Sequence, residues 1–429
     1  MSTLSEKSQP TTRPRIIIHG GAGNIHRSNL PPSLWKEYKF ALLSILHDCQ
    51  HHLSQPDATA LDIATHAVTQ LENNPLFNAG RGAVFTREGT IELEASVMVS
   101  RGYRKRGVGV MGVTKVKSPI GLAREMLMRG ESEDGDGAQG HCQLTGKVCE
   151  DLAERWGLEL VEPGWFWTRK RWEEHRKGLG LGTESEVYDV KRVVEGGGMD
   201  AFGGMCDGFD DDSLVELNDD PSWNGTDYLP QGTVGCVVLD GWGTLCVATS
   251  TGGITNKLPG RVGDTPTLGA GFWAEEWQTP KLPLQVPISP LASLLGSCLP
   301  SLNNYLPLHG EEPASKHPYR ASAISGTGNG DSFLRLSAAR TASAISRFGA
   351  NTSLQSAVTA VAGPNGMLQQ SAEDRWLKTG EGEGGMIAIE LDAGGVGGVV
   401  ADFNCGGMFR AWVDDDGVER VRVFRSDYS

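Results

Sequence analysis

A glycine followed by a threonine, Gly232–Thr233, enters the β-rich run QGTVGCVVLD (Gln231 to Asp240). Upstream lies an acidic, glycine-laden segment, the flexible approach that an internal cleavage site needs. Cutting between Gly232 and Thr233 would leave Thr233 with a hydroxyl nucleophile and a free α-amine to serve as its base. A Gly-Thr pair is ordinarily just a strand entry, and the second stretch, TSTGGITNKLPGRVGD (Thr249 to Asp264), sets this one apart. A hairpin from Thr233 brings Thr251 and Gly252 back beside it, where they can serve as donors toward a developing oxyanion. Their plain alternative is a polar strand end. Arg261 can grip a carboxylate bidentately, and Asp264 can accept an ammonium. Together they would hold the two ends of an α-amino acid; in isolation they would read as a surface ion pair.

Three stretches carry a resemblance: IIIHGGAG (Ile16 to Gly23), NPLFNAGRGAVFTREGTIELEAS (Asn74 to Ser96) and the Gly232–Asp264 region. In that order they resemble the plant-type L-asparaginase and isoaspartyl peptidase family of N-terminal-nucleophile hydrolases. The likeness covers about residues 14–130, 150–180, 233–277 and 320–412. It implies a four-layer αββα sandwich of two mostly antiparallel sheets, autoprocessed at Gly232–Thr233 into fragments that stay associated. It implies hydrolysis of L-asparagine or β-aspartyl dipeptides, and a homo-oligomer of the processed unit. Thr233 takes the place of the nucleophile and Thr251 that of a second threonine bonded to it. Arg261 and Asp264 match the substrate clamp, and Asn78 matches an asparagine near the active site. Ser325, Gly326, Thr327 and Gly328 stand where asparaginases have Thr-Gly-Thr-Gly-Glu; the resemblance makes the first two catalytic and the last two substrate-binding. It also implies a structural sodium ion on the main-chain carbonyls of Leu71, Glu72, Asn74, Phe77, Ala79 and Arg81, and no cofactor for catalysis.

The sequence departs from the family pattern in places. Ser325 lacks the threonine methyl, the following acid is displaced to Asp331, Glu94 replaces an aspartate, and Val99 replaces another. These bear on specificity more than on reaction class. An aspartylglucosaminidase-like specificity is disfavoured by the TGGITNKLPGRVGD form and the missing secretion signal. A taspase-like one is disfavoured by Asp264, since a residue inside a polypeptide has no free α-amine. A non-catalytic binding protein of the same fold is the alternative from another class. GTGNGD and HGGAG fit no complete phosphate-loop pattern.

Composition sets the remaining bounds. The net charge is −14, yet residues 181–232 hold thirteen acidic and two basic residues, so the remainder is only about −3. The acidity belongs to a linker, and nucleic acid, which needs a basic face, is not an expected partner. Eight scattered cysteines suggest neither a disulfide framework nor a zinc site. No His, Cys and carboxylate cluster shows metal-ligand spacing, and His19 reads as structural, so no catalytic transition metal is expected. The polar N-terminus lacks an apolar signal core, and no run has transmembrane length, giving a cytoplasmic protein that needs no membrane.

The positioning elements follow from periodicity. Residues 1–13 read as a tail, 14–180 as the large fragment, 181–232 as the linker and 233–429 as the small fragment. Helices are predicted over 32–53, 57–72 (capped by Asp57), 119–128, 140–155, 332–348 and 353–361. Strands are predicted over 16–19, 82–85, 92–99, 108–113, 234–239, 244–250, 386–391 and 396–403. A proline-rich insertion at about 278–318, with a short helix over 288–299, is read as a peripheral lobe.

Overall fold

The computed structural model describes residues 12–181, 232–278, 319–349 and 352–425. The tail, the acidic linker and the proline-rich insertion fall outside these residues, apart from a few at their edges.

The first strand explains the architecture. In β1 (Arg15–Gly23), Ile16 and Ile18 point into a core shared with helices, while Ile17 points into a second core. Alternation with period two would normally leave one face polar; here both faces are covered, so the run is apolar throughout. β1 lies in an eight-stranded sheet of order β12-β11-β1-β5-β6-β2-β3-β4. Its other members are β2 (Leu93–Val99), β3 (Gly107–Val113), β4 (Gln143–Thr145), β5 (Val234–Leu239), β6 (Leu245–Thr251), β11 (Gly407–Val413) and β12 (Glu419–Phe424). A second sheet has order β10-β9-β8-β7, from β7 (Phe272–Gln278), β8 (Tyr319–Gly328), β9 (Gly384–Leu391) and β10 (Gly397–Phe403). All pairings are antiparallel except β3 with β4.

The two sheets face one another through β1, β5 and β6 against β8 and β9, with Val237, Val247, Phe272, Ala323 and Ile387 buried between them. Helices α1 (Pro32–Leu53), α2 (Ala60–Asn73) and α3 (Pro119–Arg129) cover the first sheet. Two shorter helices follow, α4 (Lys147–Arg155) and α5 (Arg169–Gly178). The second sheet carries α7 (Ala338–Phe348) and α8 (Leu354–Ala362), flanked by α6 (Gly330–Leu336) and α9 (Met367–Ser371). No helix among the described residues is long and apolar enough to cross a membrane.

Several predicted elements shift for identifiable reasons. Helix α2 begins at Ala60, because the Thr59 hydroxyl, not Asp57, accepts the Asp62 N–H, a better N-cap geometry. Residues 82–85 form no strand: Gly80 and Gly82 take φ of +47° and +123°, and the Gly82 carbonyl accepts from Arg171 Nε at 2.6 Å. The predicted helix over 140–155 contains β4 and starts only at Lys147. The 332–348 helix is broken at Ser337, whose φ of 46° and ψ of 52° are left-handed. β7, β8, β11 and β12 were not anticipated by the sequence pattern.

Six cysteines, Cys49, Cys142, Cys149, Cys236, Cys246 and Cys405, are free; Cys206 and Cys298 lie outside the described residues.

Ser337 is exposed, makes no side-chain cap, and pays the steric cost of a Cβ in the left-handed region. Ser337→Gly should therefore stabilise the fold by roughly 0.5–1 kcal/mol, and Ser337→Val should destabilise it. Thermal midpoints of the two variants against wild type measure this, and equal midpoints would contradict it.

Candidate active site

Thr233 sits one residue before β5, in the middle of the larger sheet, and is 5% exposed. The register Val234↔Ser250 carries Thr233 toward Thr251 at the end of β6, and Glu94 pairs with Thr251 from β2. Gly232 is pressed against the HGGAG turn. A Cβ on it would come 2.7 Å from both Ala22 N and Gly21 Cα, and 2.8 Å from Thr327 Oγ1. Gly21 in turn has φ of +117°, which a side chain would resist. The glycine motif therefore lets backbone approach backbone at the Gly232–Thr233 junction.

Two hydroxyls hold Thr233. Its Oγ1 is hydrogen-bonded to Thr265 Oγ1 at 2.7 Å, and its carbonyl accepts from Thr327 Oγ1 at 2.9 Å. Thr265 is itself fixed, because its carbonyl accepts from Ser96 Oγ at 2.6 Å. Thr251 Oγ1 accepts the Gly253 N–H at 3.0 Å, which leaves its own O–H available to donate. The N–H of Gly252 donates to the Asn78 carbonyl at 3.1 Å, so the expected oxyanion donor at Gly252 is already engaged.

Asn78 and Ser325 take different places from those expected. The Asn78 side-chain oxygen accepts from Val84 N at 3.0 Å, and its Nδ2 donates to the Gly253 carbonyl at 2.8 Å. It braces the wall formed by residues 251–253. Ser325 Oγ is hydrogen-bonded to His19 Nε2 at 2.7 Å, and both side chains are fully buried. His19 pairs with Gly235 across β1 and β5, and any Cβ at Gly235 would collide with both His19 and Ser325. Burial pushes His19 down to about 3, against a smaller opposing effect of the Thr233 backbone, so the ring is neutral at pH 7. Thr327, two residues along the same face of β8, is the one that reaches Thr233. Gly326 donates its N–H to the Gly271 carbonyl at 2.7 Å, and Gly328 takes φ of +138°.

Arg261 and Asp264 lie close to one another, both beside Gly330. The Asp264 carboxyl is buried, and its Oδ2 has no hydrogen-bond partner. Desolvation raises it to about 7; Arg261 pulls the other way, while Glu94 and Asp331 add to the rise. Gly271 and Gly330 crowd its two oxygens, and neither position has room for a Cβ. Asp331 meanwhile pairs with Arg261 Nη2 at 2.9 Å, leaving the buried Arg261 Nε unpartnered. Gly330 thus leaves space for Asp264, and Asp331 next to it bonds the arginine. Glu94, longer by one methylene than an aspartate, accepts the Gly263 N–H at 3.0 Å and anchors the loop carrying this pair. Val99 is fully buried in the helix-side core.

The 71–81 loop presents oxygens of the kind an alkali ion takes. The carbonyls of Pro75 and Phe77 converge where a Gly82 Cβ would lie, at 2.6 and 2.7 Å from it. Glu72 O accepts from Arg81 N at 2.7 Å, Leu71 O from Asn74 N, and Asn74 O from Phe77 N. The Glu72 side chain points elsewhere, into Ser118, Ile120 N and Ser250.

Two residues were missed. Thr265 directly follows Asp264, and a hydroxyl beside the GRVGD clamp was the available signal. Lys257, in the quoted stretch but unremarked, is buried, donates to the Glu92 carbonyl at 2.8 Å and faces Glu94.

A family model described as asparaginase matches residues 12–279. A probable isoaspartyl peptidase/L-asparaginase 2 of Arabidopsis thaliana is 30% identical over 95% of this chain and 98% of its own length. An isoaspartyl peptidase of Salmonella typhimurium is 32% identical over 92% and 94%. A plant-type L-asparaginase of Pyrococcus furiosus is 34% identical over 61% and 70%. With more than half its length matched by that model, and relatives of this similarity along nearly all of it, the chain belongs to the asparaginase family of hydrolases.

Proposed function

We propose that this hydrolase cuts itself between Gly232 and Thr233 and then cleaves the side-chain amide of L-asparagine and the β-linkage of isoaspartyl dipeptides. The carrying observation is the continuity from nucleophile to clamp: Thr233 is hydrogen-bonded to Thr265, and the next residue back is the buried, half-partnered Asp264. The two-sheet layering with helices outside supports an αββα sandwich, and strands from both sides of the cut alternate in one sheet.

Chemically, the freed α-amine of Thr233 takes the proton from its hydroxyl, and Oγ1 attacks the substrate carbonyl. Thr251 donates toward the negative charge, and Thr265 holds Oγ1 in line. The leaving amine departs protonated, and water activated by the same α-amine releases aspartate from the acyl-enzyme. Arg261 exchanges Asp331 for the substrate α-carboxylate, while Asp264 takes the α-ammonium. The Arg261–Asp331 pair has one half-exposed partner, and such pairs are weak, so exchange costs little. Thr327, Gly326 and Gly328 shape the opposite wall, with Ser325 and His19 supporting it from behind. A sodium ion on the carbonyls of Leu71, Glu72, Asn74, Phe77, Ala79 and Arg81 would stiffen the loop from which Asn78 projects. The six free cysteines accord with a reducing, cytoplasmic setting. A homo-oligomer of the processed unit belongs to the same reading.

Thr233→Ala should remain one polypeptide on a denaturing gel and lose turnover of asparagine by on the order of 10⁴-fold or more. Wild type should yield two fragments, the smaller beginning Thr-Val-Gly-Cys. A different mature terminus, or an active uncut Thr233→Ala, would remove the mechanism.

Thr265→Val deletes the hydroxyl beside Oγ1, and one lost hydrogen bond of about 0.5–1.5 kcal/mol corresponds to roughly a 2- to 12-fold fall in kcat. Thr265→Ser should retain most of the rate. Identical kinetics in wild type and Thr265→Val would show that the contact is not used.

Asp264 binds an ammonium only when ionised, and its carboxyl is raised to about 7. Affinity for substrates with a free α-amine should thus rise as pH increases through about 7 and fall below it. A pH profile of KM checks this, with Asp264→Asn expected to be weak and flat over the same range. A wild-type KM constant from pH 6 to 8 would contradict it.

A further inference from the structure

Helices α1 and α2 pack against each other on the outside of the larger sheet. Asp48 and His52 lie one turn apart on α1, and residues at i and i+4 share a face. His66 reaches the same spot from α2. The Asp48 carboxylate stands between two imidazoles, with Oδ2 2.7 Å from His66 Nε2 and Oδ1 3.5 Å from His52 Nδ1. One ligand atom from each residue lies within 4.8 Å of the others. Gln70 Nε2 donates to Asp48 Oδ2 at 2.9 Å and steadies the carboxylate. The side chains are 41%, 50% and 42% exposed for Asp48, His52 and His66, so an ion could reach them from solvent.

We propose that Asp48, His52 and His66 form a binding site for a divalent transition-metal ion, with zinc as the reference case. Two imidazole nitrogens and one carboxylate oxygen are a donor set that suits zinc and its neighbours, whereas magnesium and calcium prefer all-oxygen shells. Tetrahedral bonds of about 2.0–2.2 Å place ligand atoms roughly 3.3 Å apart. The present spread brackets that value, and side-chain rotation closes it with no movement of the helices. Three protein ligands leave a fourth position for water. His52 Nδ1 now bonds the Asp48 carbonyl at 2.8 Å and exchanges that contact for the metal. Both rings ligate in their neutral form, so the metal competes with protons for them.

This site lies outside the catalytic constellation, yet α2 packs on β5 and β6, the strands that position Thr233 and Thr251. A metal joining α1 to α2 would brace that layer from behind, and an ion binding only the folded state raises its stability. The bland reading, a surface ion pair between Asp48 and two histidines, predicts no metal dependence.

The test uses full-length, tag-free protein stripped with chelator. Titration calorimetry with zinc chloride, and the visible spectrum of added cobalt(II), should report one equivalent bound at micromolar concentration, undisturbed by millimolar magnesium. His66→Gln and Asp48→Asn should each weaken binding at least tenfold and abolish the zinc-dependent rise in thermal midpoint. His51→Gln, whose ring is 5.8 Å from His52 but outside the converging set, should match wild type. Circular dichroism and retained turnover verify that each variant is folded. Absence of micromolar binding, binding undiminished in both His66→Gln and Asp48→Asn, or a loss confined to His51→Gln would each overturn the proposal.

Discussion

The structure depends on one close approach: the backbone at Gly232 lying against the backbone of Gly21 and Ala22. No side chain fits between them, and Thr327 closes the third side. The hydroxyl proposed as nucleophile would ordinarily wander once freed at a chain end. Here the residue before it is wedged, its carbonyl is bound, and its Oγ1 is held by Thr265, whose own carbonyl is tied to Ser96. The same device recurs at Gly235, where the missing side chain lets His19 of β1 reach Ser325 of β8. Glycine in this protein supplies proximity rather than flexibility. Close-packed interiors transmit small displacements, so enlarging any of these glycines would move Thr233 itself.

The proposed clamp follows a related logic with charge. Asp264 is kept where water cannot fully solvate it and where glycines crowd both oxygens, so its ionised form is incomplete without a cation from outside. Arg261 is partly satisfied by Asp331, an acid on the rim. Before substrate arrives, the positive half of the clamp has a loose internal counter-ion and the negative half has a partner that only lowers its charge cost. Electrostatic matching of this kind favours a zwitterion over an ordinary peptide segment.

Legibility in the sequence tracked how local each signal was. Helix α1 could be read from its periodicity to the residue, and the β5–β6 hairpin from its Asp-Gly-Trp-Gly turn, because the information lies within a few neighbouring residues. The grouping of Thr233, Arg261 and Asp264 was suggested locally, because one short loop carries the arginine and the aspartate and one Gly-Thr junction carries the threonine. Strand alternation alone cannot say which of two hydroxyls on the same face of β8 bonds Thr233; Thr327 does, and Ser325 meets His19, which Gly235 admits from another part of the chain. The metal-type cluster was invisible for the same reason: His66 joins Asp48 and His52 only once α2 has packed against α1. β11 went unread because its partner β1 lies near the other end of the sequence, and β12, the edge strand, pairs only with β11.

The pairing of β1 with β11 has a consequence for folding. β1 lies between β5 and β11, and its pairing with Trp412 and Ala411 joins segments far apart in the chain. Such distant contacts demand closure of a very large loop before they reward it. The pairing of β1 with β11 is therefore a late step in folding, and the larger sheet is completed only with it. The self-cleavage proposed above would then wait on β11, a strand that carries none of the proposed reacting groups.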